Sequence, residues 1–296
     1  MTMSLSALSK ILSRAHRSRH LALPLLAVLI VSGPETGRAA ESAWSLVKTV
    51  AAGRPAAIGG PSNGCILGAD VLPASGKGFV SIRRHRERFY GHPETLRLIR
   101  DLGAAMDRRN GRLVMIGDLS QPRGGRMSSS HVSHQNGLDA DIWLTLADSP
   151  DQAWRATPED RDPPSMLGRH GLQLSDRWGP DQLFLIQRTA EDPAVDRILV
   201  NPGIKRALCR SEGDTPWLRK LRPWWGHDAH MHVRLKCPPG SPDCTQQAPV
   251  PMGTGCGSEL AWWFSLEARS PSRSSSSEPK ARPAPPAACR TVLSAS

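Results

Sequence analysis

Hydrophobic positions recur along the chain with two periods. Leu96, Ile99, Leu102 and Met106 are spaced three or four apart, which predicts a helix with one buried face. His92-Pro93-Glu94 opens it, with proline in the first turn, and Asn110 and Gly111 supply a stop. Leu113–Ile116 is a continuous apolar run that predicts a buried strand. From residue 138 the pattern alternates: Leu138, Ala140, Ile142, Leu144 and Leu146 take one face, and Asp139, Asp141, Trp143 and Thr145 take the other. That is the pattern of a half-buried strand. Residues 230–236 alternate as clearly, with Met231, Val233 and Leu235 on one face and His230, His232, Arg234 and Lys236 on the other. Shorter patterns predict strands at 79–84 and 197–200 and helices at 181–190 and 203–208. Residues 41–64 lack strong periodicity, 121–130 read as a Gly/Arg/Ser loop, and 147–180, with five prolines, read as irregular.

The two ends of the chain are of a different kind. Lys10, Arg14, Arg17 and Arg19 precede an apolar run at 21–31, and small residues follow at Gly37, Ala39 and Ala40. This is the layout of a secretory signal peptide, assigned to 1–40, and the run is short for a membrane span. The segment 269–296 is rich in Ser, Pro and Arg and cannot build a core of its own. Cys289 within it suggests that it is tied back. The formal charge of +11 divides unevenly. Leader and tail each hold five basic residues and one acid, which leaves about +3 on the body at 41–268. That argues against nucleic acid as a partner and leaves an extracytoplasmic anionic polymer for the tail. Six cysteines, all beyond the leader, predict disulfides in an oxidising compartment; without a C-x-x-C, a zinc cluster of cysteines is disfavoured.

The chemistry concentrates in two short stretches. The first, 130–141, holds His131, His134, Asp139 and Asp141 around the turn-permitting Gly137. The second, Gly226-His227-Asp228-Ala229-His230-Met231-His232, comes about ninety residues later. A catalytic zinc takes three protein ligands and leaves a position for water. His134 and Asp141 can meet one metal if the turn at Gly137 folds one over the other, and His232 from a neighbouring strand completes the set. His230, on the same face, is then placed for proton transfer, with His227 at the rim. Asp139 reads as a supporting residue. Trp224 and Trp225 fit either a substrate groove or the core. Ser45-Leu46-Val47-Lys48 matches S-x-x-K of serine enzymes, but neither K-T-G nor S-D-N accompanies it, so chance explains it.

H-x-x-G-x-x-x-D followed by H-x-H resembles the LAS metallopeptidases, which unite lysostaphin-type enzymes, D-Ala-D-Ala peptidases and the hedgehog fold. Ser133-His134-Gln135-Asn136-Gly137-Leu138-Asp139-Ala140-Asp141, and the longer Arg222-Pro223-Trp224-Trp225-Gly226-His227-Asp228-Ala229-His230-Met231-His232-Val233-Arg234-Leu235-Lys236-Cys237-Pro238, resemble the penicillin-insensitive murein endopeptidases over about 65–289. The resemblance implies an α+β fold with a mainly antiparallel central sheet, flanking helices and loops, stabilised by disulfides. It implies a periplasmic zinc peptidase cutting D-alanyl–meso-diaminopimelyl cross-links in peptidoglycan, with no stable membrane insertion once the leader is cleaved. Carried onto this chain, the Zn2+ ligands are His134, Asp141 and His232. His131 is a further histidine of the metal motif, and His227 and His230 are the active-site histidines. The disulfides map to Cys65–Cys289, Cys209–Cys256 and Cys237–Cys244. The family's second site, an Asp-x-x-His, is broken here: His170 remains, but Leu167 stands at the Asp position. Two alternatives stay open, a zinc D,D-carboxypeptidase of the same superfamily and a non-catalytic peptidoglycan-binding protein.

Overall fold

The computed structural model describes residues 42–128, 131–158, 161, 163–270 and 283–295. The leader expected at 1–40, Ser130 of the first motif and the stretch 271–282 lie outside the described residues. Among those described, no helix is long and apolar enough to cross a membrane.

Seven strands form the central sheet: β3 (Ser75–Gly76), β4 (Phe79–Ser81), β5 (Leu113–Ile116), β6 (Asp139–Ala147), β7 (Val195–Val200), β8 (Leu221–Pro223) and β9 (His230–Leu235). A separate antiparallel hairpin precedes them, β1 (Ala56–Gly60) and β2 (Asn63–Leu67). Gly and Ala fill most of β1, so no alternation marks it in the sequence. The spatial order is β8-β7-β9-β6-β5-β4-β3. β7/β8 and β4/β5 are parallel and the other neighbours antiparallel, so the sheet is mainly antiparallel within an α+β fold.

The apolar face of β6 and β9 joins the main core through Ala140, Ile142, Leu144, Met231, Val233 and Leu235. Against it packs α1 (Pro93–Asn110), through the fully buried Leu96, Ile99 and Met106. Its ends are where the sequence put them. The His92 Nδ1 accepts a hydrogen bond from Glu94 N at 3.2 Å, capping the start. Gly111, at φ 75°, ends the helix in the left-handed conformation that glycine adopts most readily. The other α-helices of five or more residues among the described residues are α2 (Pro150–Ala156), α3 (Pro180–Glu191), α4 (Pro202–Glu212), α5 (Ser258–Trp262) and α6 (Ala287–Ser294).

Several elements differ from the sequence pattern. The strand expected at 79–84 stops at Ser81, because Arg83 turns left-handed at φ 51°. The stretch expected to be irregular holds α2, capped by Ser149 Oγ on Gln152 N at 3.2 Å; it is too short to show a period. The helix expected at 203–208 runs on to Glu212. The most informative difference concerns β6. A half-buried strand was expected, yet its polar face is covered as well: Asp139 and Asp141 are both buried. Alternation therefore marks a second interior, built of charges, rather than a solvated face.

Three disulfides hold the periphery. Cys65–Cys289 ties β2 to α6, Cys209–Cys256 ties α4 to the segment before α5, and Cys237–Cys244 closes a short loop after β9. The C-terminal helix is further held by Arg123, whose Nη1 donates to Val292 O at 3.1 Å and Leu293 O at 2.9 Å.

Candidate metal centre

Register builds the centre. In the β6/β9 ladder His232 stands opposite Asp141, Arg234 opposite Asp139, and His230 opposite Trp143. Directly opposed residues have Cβ atoms about 5 Å apart, so each pair can interact across the strands. The His232 Nδ1 lies 3.0 Å from Asp141 Oδ1. Arg234 grips Asp139 with two bonds, Nε to Oδ1 at 2.7 Å and Nη2 to Oδ2 at 2.9 Å.

His134 enters from the turn before β6. It is a non-glycine residue at φ 68°, a strained conformation held by its own N–H donating to Asp139 Oδ2 at 3.0 Å. Neighbouring side chains anchor the same turn to the β1–β2 hairpin: Asn136 Nδ2 donates to Gly59 O at 3.2 Å and Gln135 Nε2 to Ser62 O at 2.9 Å. Gly137 takes the left-handed conformation that favours glycine, at φ 76°, and an added Cβ would also force Ile66 Cδ1, 2.4 Å away, to shift. The turn therefore presses His134 into the sheet.

Both ring nitrogens of His134 are buried and neither makes a hydrogen bond. A polar atom in that position ordinarily has a partner. Its Nε2 stands 3.4 Å from Asp141 Oδ1. Two ligands of a tetrahedral zinc, each at ~2.0–2.1 Å, stand about 3.3–3.4 Å apart. The His134–Asp141 distance fits one shared cation, while His232 Nδ1, closer at 3.0 Å, lies at hydrogen-bond distance from the same oxygen. A buried His134 nitrogen without a protein partner suits a metal ligand. His131 is nearby: His131, His134 and Asp141 each offer an atom within 4.8 Å of the others. The His131 Nδ1 is 3.8 Å from Asp141 Oδ2, while its Nε2 is 3.2 Å from Asp118 Oδ2.

Above these residues lies a cleft of about 980 Å³. His227 and His230 line one wall, and Lys48, Arg83, Arg86 and Arg88 line others. The His230 Nε2 is 3.9 Å from Asp141 Oδ1, and the rings of His227 and His230 are 5.0 Å apart. The five histidines and Asp141 thus converge on one place, as the sequence pattern suggested. His170 does not join them. It is exposed, and Leu167 belongs to the core, so the described residues hold no Asp-x-x-His site there.

Sequence reading missed Asp118. It sits just after β5, buried, with Arg88 Nη1 at 2.7 Å and Arg86 Nη1 at 3.3 Å. A lone acid in an irregular stretch carries no periodic signal. Burial alone would raise its carboxyl, but His131 and the two arginines more than reverse that, to about 2.

The same competition sets the other charges. Burial alone would raise the carboxyls of Asp139 and Asp141. Arg234 and His232 hold the first well below the usual carboxylate range, and His134 and His230 do the same for the second. Burial would lower His232, yet Asp139 and Asp141 flank it and raise it to about 9. Burial pushes His227 down to about 4 and lowers His230 as well.

A pH dependence follows for the metal-free protein. A raised folded pKa contributes stability that is complete below about 6.5 and lost as pH rises through about 9. Over that window the loss is about 3 kcal/mol. A cation taken up at Nδ1 must also displace a proton. Chelator-treated protein is expected to melt lower at pH 9 than at pH 6.5. Its apparent zinc affinity is expected to climb about tenfold per pH unit over that window. Thermal melts and competition titrations at four pH values would check this, and a flat response in both would contradict the raised His232.

Fold and site together define a class: a disulfide-bonded α+β chain whose two central strands carry a His/Asp cluster able to hold a metal ion under a cleft. Comparison with known proteins narrows it. The family model for penicillin-insensitive murein endopeptidases matches residues 57–294. Relatives named penicillin-insensitive murein endopeptidase are similar over nearly the whole length. That of Pectobacterium atrosepticum is 42% identical over 257 residues, covering 86% of this chain and 89% of its own. That of Klebsiella pneumoniae is 40% identical over 278 residues, covering 92% and 96%. That of Haemophilus influenzae is 42% identical over 243 residues, covering 81% and 83%. The chain belongs to the penicillin-insensitive murein endopeptidase family.

Proposed function

We propose that this protein is a zinc-dependent murein endopeptidase acting on D-alanyl–meso-diaminopimelyl cross-links, with the metal held by His134, Asp141 and His232. The observation that carries the metal assignment is the pair of buried, unsatisfied nitrogens on His134 beside Asp141. When bound, zinc supplies Lewis-acid activation of water and polarisation of the scissile carbonyl. The chain's own groups do the rest.

Asp139 and Arg234 orient His232, as partners behind a ligand do. The His227 Nδ1 lies 3.0 Å from Trp225 O, so in the neutral ring Nδ1 donates and the lone pair is on Nε2. Burial keeps both rings neutral, so His227 and His230 hold an unprotonated nitrogen available to the attacking water, and a proton taken there is held weakly and readily handed to the leaving amine. Lys48 at the cleft is placed to complement a free carboxylate of a murein stem peptide, while Arg86 and Arg88 pair with Asp118. Residues 41–268 form the catalytic domain on this reading, with 1–40 a cleavable leader and the periplasm the place of action.

The test is to incubate purified protein with cross-linked muropeptide dimers. Monomers are expected, stopping with a chelator and returning with added zinc. Unchanged dimers with zinc bound would favour a binding protein. Pentapeptide monomers losing terminal D-Ala while dimers persist would favour a carboxypeptidase.

A further inference from the structure

Beyond the cleft lies a surface that the hydrolytic chemistry leaves unused. Trp224, Trp225 and Trp262 are 54%, 44% and 46% exposed, and Trp263 is half-buried among them. The Trp263 ring centroid is 6.1 Å from that of Trp224, 5.5 Å from Trp225 and 5.4 Å from Trp262. The interplanar angles are 56°, 68° and 84°, so Trp263 stacks face to face with none of the other three. Indole is the largest apolar side chain, and grouping several of them at the surface forfeits burial that folding alone would favour.

The cluster is firmly assembled. Trp224 and Trp225 follow β8, where Trp224 N donates to Val200 O at 2.9 Å. Trp262 and Trp263 come from α5 and the residue after it. That segment is fixed by Cys209–Cys256, by an ion pair between Arg222 and Glu259, and by Lys205. The Lys205 side chain is fully buried and its Nζ donates to Leu218 O and Thr254 O, each at 2.6 Å. A buried lysine amine satisfied by main-chain carbonyls fixes the segment before α5.

The platform is continuous with the cleft. The Trp225 carbonyl faces His227 Nδ1 at 3.0 Å, and His227 lines the cleft wall. Two residues of chain span at most about 7 Å, so the main chain of Trp225 lies within that distance of the cleft-lining His227. A four-residue stem peptide spans at most about 14 Å, so every murein cross-link is a short reach from a glycan strand. The apolar C–H face of a pyranose ring stacks on flat indole, and an N-acetyl methyl adds apolar contact.

We propose that Trp224, Trp225, Trp262 and Trp263 form a stacking platform for the N-acetylated sugar rings of a murein glycan strand, seated beside the peptide cleft. This rests on the murein reading of the cleft.

The probe is a peptide-free glycan strand of alternating N-acetylglucosamine and N-acetylmuramic acid, titrated against full-length protein by tryptophan fluorescence. Wild-type protein is expected to bind, and the Trp224→Ala/Trp262→Ala variant to bind about tenfold more weakly. Trp262→Gln alone, at an exposed helical position, provides a second variant should the double one fold poorly, and it is expected to weaken binding in the same direction. Turnover of intact sacculi divided by turnover of sugar-free peptide dimers is expected to fall by a similar factor in either variant. No glycan binding by wild type, equal affinity in both variants, or an unchanged turnover ratio would overturn the platform. So would concentration-dependent self-association that the same substitutions abolish, which would assign the surface to a second copy. Failure to cleave either substrate while glycan binding persists would sink the hydrolase reading and leave the platform standing.

Discussion

His232→Ala is expected to lower cross-link hydrolysis roughly 10³-fold, equivalent to about 4 kcal/mol of transition-state stabilisation. The size follows from the position. The His232 Nδ1 is 3.0 Å from Asp141 Oδ1 on the facing strand, while His230 Nε2, also from β9, stands farther off at 3.9 Å. Alanine removes the proposed β9 ligand and leaves His131, His134 and Asp141, of which His131 is also drawn to Asp118 at 3.2 Å, so zinc is expected to be held more weakly. Zinc content is therefore expected to fall below one ion per chain at equimolar metal, together with activity. Circular dichroism would check that the central strand survives. A variant that keeps both full zinc and more than a tenth of the activity would remove His232 from the ligand set.

The second large effect concerns a residue that touches no substrate. Arg234→Ala is expected to destabilise the fold by about 3–5 kcal/mol, because it leaves the Asp139 carboxylate buried without its counter-charge. Asp139 has no solvent exposure and receives two of its hydrogen bonds from Arg234. For a domain of this size the loss corresponds to a melting temperature lower by roughly 10 °C. The third bond to Asp139 comes from the His134 N–H, so the strained backbone at His134 loosens with it. Arg234→Ala combined with Asp139→Asn removes the orphaned charge, and the double variant is expected to be less destabilised than the two single effects added. Calorimetry on the three variants would measure it; strict additivity would show that the two residues act independently.

The sequence made the strands of the centre legible, and the register only partly. Alternation at 138–146 and 230–236 placed Asp139, Asp141, His230, His232 and Arg234 on two polar faces, because period two is a property of the backbone itself. It could not say that β6 and β9 are neighbours in the middle of the sheet, since strand order depends on contacts far apart in sequence. Nor could it say that the polar faces are covered. Over Asp139 lies the turn at 134–137, anchored to the hairpin β1–β2, and this turn carries no period. Asp118 and the aromatic grouping across Trp224 and Trp263 escaped for the same reason: each joins segments that only the folded chain brings together. The disulfide pairs followed from family resemblance, because six cysteines admit 15 pairings by count alone.

The seating of the His/Asp cluster on β6 and β9 bears on how the protein ages. Backbone amides in the middle of a sheet open only with the whole molecule, whereas loops and termini fray at little cost. Sites assembled on loops can be lost while the body of a protein remains folded. Here the paired residues Asp141 and His232 share the ladder that holds the core together. The strand half of the centre therefore lasts as long as the fold, and heat inactivation earlier than global unfolding would locate the first loss at the His134 turn.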